Sequence, residues 1–173
     1  MDINLEDVVG AVRIRVRRGT NLVRRDSKSS DPYVAVTMGT QKLRSRTEKN
    51  NCNPEWNDEL TLAITSTDPD LPVKLTVYDE DTMTTDDAMG WAELDVKSLR
   101  ECGRMELEGI ENGTMVSKIH PSRQNCLAED SNIVWKDGKL RQDMILRLND
   151  VETGEVDIQL EWVDITGQLT NKA

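Results

Sequence analysis

Histidine occurs once in the 173 residues, at His120, so a Ser/His/Asp or Cys/His catalytic set could be built around that position alone. Cys126 is its one neighbour for a dyad, and nothing else in the segment supports that pairing. The three cysteines, Cys52, Cys102 and Cys126, lie far apart with no C-x-x-C pair, which excludes a zinc ribbon and a disulfide framework. We expect small, semi-buried thiols in a reducing compartment. No run of about 18 apolar residues exists, and the opening "MDINLEDVVG" has acids where a secretory signal carries bases and then an apolar core. A soluble, intracellular chain is expected. Neither a P-loop nor G-x-G-x-x-G is present, which argues against nucleotide binding or hydrolysis by the chain itself. Cationic excess is also lacking: the net charge of −10 argues against nucleic acid as a partner. An anionic partner must then be met locally, by a basic patch or through a bound cation.

What the sequence does have is period-2 alternation. Val12, Ile14 and Val16, then Leu60, Leu62 and Ile64, Val73, Leu75 and Val77, Ala92, Leu94 and Val96, and finally Val156, Ile158, Leu160 and Trp162 each put apolar residues on one face. This is the pattern of antiparallel sheets with one buried side, so the expected class is all-β. A single domain spanning 1–173 is expected, with core strands in about 11–107 and 140–165. About eight core strands plus an insertion at about 108–139, before the last two strands, suit a β-sandwich. "SLRECGRM" is the one place for a helical turn, and "VWKDGKLR" reads as a hairpin turning at Asp137-Gly138.

Negative charge is concentrated at one point. The stretch "VYDEDTMTTDDAMG" holds Asp79, Glu80, Asp81, Asp86 and Asp87, and Asp26 and Asp31 lie in an earlier polar loop. Two like charges 4 Å apart repel by about 1 kcal/mol in water and about 4 at an effective dielectric of 20, so convergence asks for a cation. Carboxylate oxygens suit calcium. An EF-hand fails on spacing, because Thr84 stands where its glycine is required when counting from Asp79. A metal-dependent glycosyltransferase would need a nucleotide-binding α/β domain, and none is visible.

"RDSKSSDPYVAVTMG", "NPEWND" and "VYDEDTMTTDDAMG", in this order and spacing, resemble the C2 domain, a calcium-dependent phospholipid-binding β-sandwich. The resemblance implies an eight-stranded antiparallel sandwich, with "AVRIRV" first and "VDIQLEWV" last in type II topology. It carries the calcium ligands onto Asp26, Asp31, Asp79, Asp81 and Asp87, with backbone carbonyls at Arg25 and Glu80, for two or more ions. "PSRQNCLAEDS", "DGKLRQDMILRL" and "VETGEVDIQLEWVDITG" are similar to the plant C2-domain ABA-related family. That family implies a non-enzymatic adaptor recruiting PYR/PYL-type abscisic acid receptors to the plasma membrane with calcium. It also implies a cytoplasmic protein that is peripheral at the plasma membrane when calcium is bound and present in the nucleus as well, with GTPase activation in trans on a small GTPase as the alternative.

Secondary contacts are expected elsewhere. Lys42, Arg44 and Arg46 alternate along "QKLRSRT" and match the phosphoinositide-contacting positions of lysine-rich C2 domains, although Ala35 and Thr37 replace lysines on the preceding strand. Met83 is the one strongly apolar residue at the tip of the acidic loop, so membrane binding should be mainly electrostatic. The insertion offers Lys118, His120 and Arg123 as partner-facing residues. Trp56, within "NPEWN", reads as a packing indole.

Overall fold

The computed structural model describes residues 3–24 and 30–165. After a short 3-10 turn at Leu5–Asp7 come β1 (Val8–Thr20), β2 (Pro32–Met38), β3 (Gln41–Arg44), β4 (Glu55–Thr65), β5 (Val73–Asp79) and β6 (Asp87–Leu94). A two-turn helix, α1 (Lys97–Gly103), separates them from β7 (Thr114–Ile119), β8 (Ser131–Lys136), β9 (Lys139–Arg147) and β10 (Glu155–Asp164). They form a six-stranded antiparallel sheet ordered β4-β1-β10-β9-β8-β7 and a four-stranded one ordered β3-β2-β5-β6.

The alternation in the sequence explains the packing. Val12, Ile14 and Val16 of β1, Leu60, Leu62 and Ile64 of β4, and Val156, Ile158 and Leu160 of β10 are buried on one face of the larger sheet. They join a single core with Val34 and Val36 of β2, Val73, Leu75 and Val77 of β5, and Met89, Ala92 and Leu94 of β6. Each of the Val, Leu, Ile and Met side chains contributes about 1.5–3 kcal/mol on full burial, more than a typical exposed ion pair supplies. Trp56 is fully buried among them, as expected, and its indole Nε1 donates to Pro32 O at 2.9 Å. Leu99 and Cys102 of α1 close part of the same core.

Ten strands are present among the described residues where about eight were expected, and the two additional ones, β7 and β8, fall inside 108–139. That segment was expected as an insertion ending in a hairpin. It instead widens the larger sheet, with β7 paired, among the described residues, to β8 alone and therefore at the edge. The Asp137-Gly138 hairpin is present between β8 and β9. Both turn residues have positive φ, 54° and 73°, as a two-residue turn matching strand twist demands. The three cysteines are free. No helix among the described residues is long and apolar enough to cross a membrane.

Candidate functional site

Strand register brings the acids together. Asp31 immediately precedes β2, Asp79 ends β5 and Asp87 begins β6, and the Cα pairings Pro32 to Asp79 and Asp79 to Asp87 put all three at one end of the smaller sheet. The Asp31 N–H donates to Asp79 Oδ1 at 2.9 Å, the Glu80 N–H donates to Asp31 O at 3.0 Å, and the Asn50 N–H donates to Asp31 Oδ1 at 2.7 Å. Asp79 is buried, at 3% exposure, while Asp87 is exposed.

Between β5 and β6 the loop holds itself in shape. Asp81 accepts from the Met83 N–H (2.9 Å) and the Thr84 hydroxyl (2.7 Å), and these bonds keep its carboxyl below the usual carboxylate range. Asp86, whose role the sequence left open, turns out to be the clasp of the loop. Its Oδ1 accepts from the Asp81 N–H at 2.9 Å and its Oδ2 from the Tyr33 hydroxyl. The phenol donor and the Asp81 N–H hold Asp86 low, whereas burial and this hydrogen bond push Tyr33 up to about 12. Tyr33 also stacks on Tyr78, with centroids 5.5 Å apart. Tyr33 and Asp86 are 53 residues apart, so only the fold reveals the pair.

The Glu80 side chain is held by donors on and after β3. It accepts from the Thr47 hydroxyl and from Arg44 Nη2 at 3.0 Å, and these donors lower its pKa in that order. Arg44 in turn lies over the Tyr33 ring at 3.6 Å. Lys42, Arg44 and Arg46 are all exposed on alternating positions, although β3 itself ends at Arg44. Lys42 stands opposite Thr37 and Arg44 opposite Ala35. Arg46 pairs with Glu48 at 3.4 Å. Met83, at 88% exposure, projects from the loop and is free to meet an apolar phase. Asp130 gathers Lys118 (3.9 Å) and His120 (2.8 Å) near the β7–β8 connection, while Arg123 is exposed within it.

The donor chemistry fits a hard cation. The gathered groups are carboxylates, whose oxygens can each accept more than one partner, and neutral N–H and O–H groups orient those of Asp31, Asp79 and Asp81. Among the described residues no three His, Cys, Asp or Glu side chains close around one point. Arg25 and Asp26, two of the expected ligands, lie outside the described residues.

A family model for the C2 domain matches residues 10–110. Protein C2-DOMAIN ABA-RELATED 8 of Arabidopsis thaliana is 54% identical over 163 residues, which cover 94% of this chain and 98% of that protein. The chain belongs to the C2-domain ABA-related family. GTPase activating protein 1 of Oryza sativa subsp. indica is 57% identical over 163 residues, covering 94% of this chain and 97% of its own. Among solved structures, the calcium-bound tandem C2 domains of Extended-Synaptotagmin 2 superpose with a TM-score of 0.62 at 21% identity. That match covers 91% of this chain and 46% of the other, and it speaks for the sandwich fold.

Proposed function

We propose that the protein is a non-enzymatic, calcium-dependent phospholipid-binding adaptor that recruits PYR/PYL-type abscisic acid receptors to the plasma membrane. The observation that carries the reading is the register that gathers Asp31, Asp79 and Asp87 at one end of the smaller sheet, with Asp81 preset beside them. Asp26 and the backbone carbonyls of Arg25 and Glu80 complete the proposed ligand set. Bound calcium, at two or more ions, would reverse the local charge and offer open coordination sites to lipid phosphate. The residues of the rim then have three tasks: the aspartates hold the cation, Asp86 and Tyr33 keep the loop from collapsing, and Met83 meets the acyl boundary. Complete burial of Met83 would contribute about 1.5–3 kcal/mol, so the anchoring is chiefly electrostatic.

Lys42, Arg44 and Arg46 serve as a secondary contact to lipid head groups, and Lys118, His120 and Arg123 face the receptor. The names of the Arabidopsis relatives support the abscisic acid arm of this reading. We assign the whole of 1–173 to one C2 domain, and the adjacency of β1 and β10 supports type II topology. The protein is placed in the cytoplasm, at the plasma membrane when calcium is bound, and in the nucleus, with no nucleic acid as partner. The test is co-sedimentation with phosphatidylserine-containing liposomes while free calcium is titrated. Binding only with calcium is expected; binding under chelation that is lost on Lys42→Ala/Arg44→Ala would overturn it in favour of a constitutive basic-strand scaffold.

A second reading, activation of a small GTPase in trans, is supported by the name of the rice relative. Acceleration of single-turnover GTP hydrolysis by candidate GTPases would establish it, and no acceleration ends it.

A further inference from the structure

Arg44 is where the basic strand meets the acidic rim. Its Nη2 donates to Glu80 Oε2 and to Thr47 Oγ1, both at 3.0 Å, and its Nε donates to Ser45 O at 3.3 Å. The Thr47 hydroxyl donates to the same Glu80 oxygen. Arg44 stands opposite Ala35 in the β2–β3 register, and Ala35 shares a face of β2 with Tyr33. A methyl group there leaves the guanidinium room to lie over the Tyr33 ring, 3.6 Å from its centre. A planar guanidinium can bond acceptors in its plane and stack an aromatic ring on its face at the same time; a lysine ammonium cannot.

Both ends of the loop between β5 and β6 are tied to this one side chain. Glu80 opens the loop: its N–H donates to Asp31 O at 3.0 Å and its carboxylate accepts from Arg44, so residue 80 is held on its main chain and its side chain together. Asp86 closes the loop. Its Oδ2 accepts from the hydroxyl of the tyrosine that Arg44 covers, and its Oδ1 accepts from the Asp81 N–H at 2.9 Å. A lone exposed ion pair does little, and the Arg44 and Glu80 side chains are half-exposed and partly exposed. What sets this pair apart is the network that it shares with Thr47 and Tyr33.

We propose that Arg44 is a positioning residue for the calcium site: it holds Glu80 directly and Asp86 through Tyr33, and so presets the loop that carries Asp81. The inference rests on the calcium reading above and goes beyond it, because it gives Arg44 a task that needs no lipid. Charge alone makes the opposite prediction. A cation beside the acidic rim repels calcium, so its removal would tighten calcium binding, whereas loss of the network loosens it. Lysine separates the two effects, since it keeps the charge but cannot hold Glu80, Thr47 and the Tyr33 ring at once.

The experiment is a calorimetric calcium titration of the full chain without lipid, on the natural protein and on Arg44→Lys, Arg44→Ala and Thr47→Val, with the Tm of each calcium-free protein measured alongside. In Arg44→Lys and Arg44→Ala the half-saturating calcium concentration should rise by up to about tenfold, with the calcium-free Tm little changed. Thr47→Val alters no charge and should show a smaller rise. Arg46→Ala, which removes a neighbouring cation that pairs with Glu48, should leave calcium binding unchanged or slightly tighter. Unchanged calcium binding in Arg44→Lys, or tighter binding in Arg44→Ala, would overturn the proposal and leave Arg44 as a head-group contact only. Weaker binding accompanied by a lowered calcium-free Tm in Arg44→Lys would make the residue a support of the fold and overturn it too. If the Arg44 variants do not fold, Thr47→Val decides. No saturable binding by the natural chain would remove the calcium reading itself, an outcome distinct from a normal natural isotherm that Arg44→Lys does not shift.

Discussion

The two sheets use charge in opposite ways. On the outer face of the larger sheet, signs alternate between neighbouring strands. Glu161 meets Arg13 at 3.3 Å, Lys139 at 3.4 Å and Arg141 at 3.8 Å, Arg15 meets Glu59 at 2.9 Å, and Arg17 meets Asp143 at 3.3 Å. At the rim of the smaller sheet the acids are gathered with one another, and those of Asp31, Asp81 and Asp86 are held by backbone N–H groups and hydroxyls. Opposite charges across strands satisfy each other and are spent on register. Like charges held by neutral donors keep their attraction for a cation, because the donors orient the carboxylates without neutralising them.

The contrast is best broken from the rim. Asp81→Asn/Asp87→Asn should abolish calcium-dependent liposome sedimentation while leaving Tm little changed or raised, because repulsion is removed; loss of folding would instead make the rim structural. Tyr33→Phe comes next. It removes the hydroxyl that fixes Asp86, so the calcium concentration for half-maximal sedimentation should rise, by up to about tenfold, with the far-ultraviolet circular dichroism intact. Glu161→Gln tests the other sheet: denaturant unfolding should lose about 1 kcal/mol or less, with calcium-dependent binding unchanged. The smallest effect is at Glu59, whose carboxyl is held below its ordinary value of 4.5 by its hydrogen bond to Arg15. A depressed acid contributes stability above its ordinary pKa and loses it as pH falls through the lowered one. A carboxyl-detected NMR titration should therefore find the Glu59 midpoint below 4.5, and Arg15→Ala should raise it.

Much of the sandwich was legible because its strands bury one face only. The alternation in β1, β4, β5 and β10 announced both their existence and their inward residues, and the helical turn and the Asp137-Gly138 hairpin were readable from local chemistry. β7 was not legible. It is an edge strand with no fully buried residue, and its register shifts between Met115 and Ser117, so the period-2 signal is broken. The rim acids were readable as a cluster, since Asp79, Asp81 and Asp87 are near in sequence. The clasp of Asp86 on Tyr33 and the diversion of Glu80 to Arg44 were not. Each joins residues brought together by β2 and its neighbours, and no short-range pattern marks a contact of 53 or 36 positions.

In the larger sheet β1 lies between β4 and β10, so its two flanks are satisfied by segments at very different distances along the chain. Arg13 and Glu161, which face each other across β1 and β10, are 148 residues apart. On the ribosome β1 can dock on β4 early, but its other row of amides and carbonyls must wait for residues 155–164 to emerge. Such distant closure is slow, and an unmatched strand edge meanwhile invites association with other chains. Arg13, Arg15 and Arg17 set three like charges along β1, and like charges on an open strand oppose its pairing with a second copy of itself.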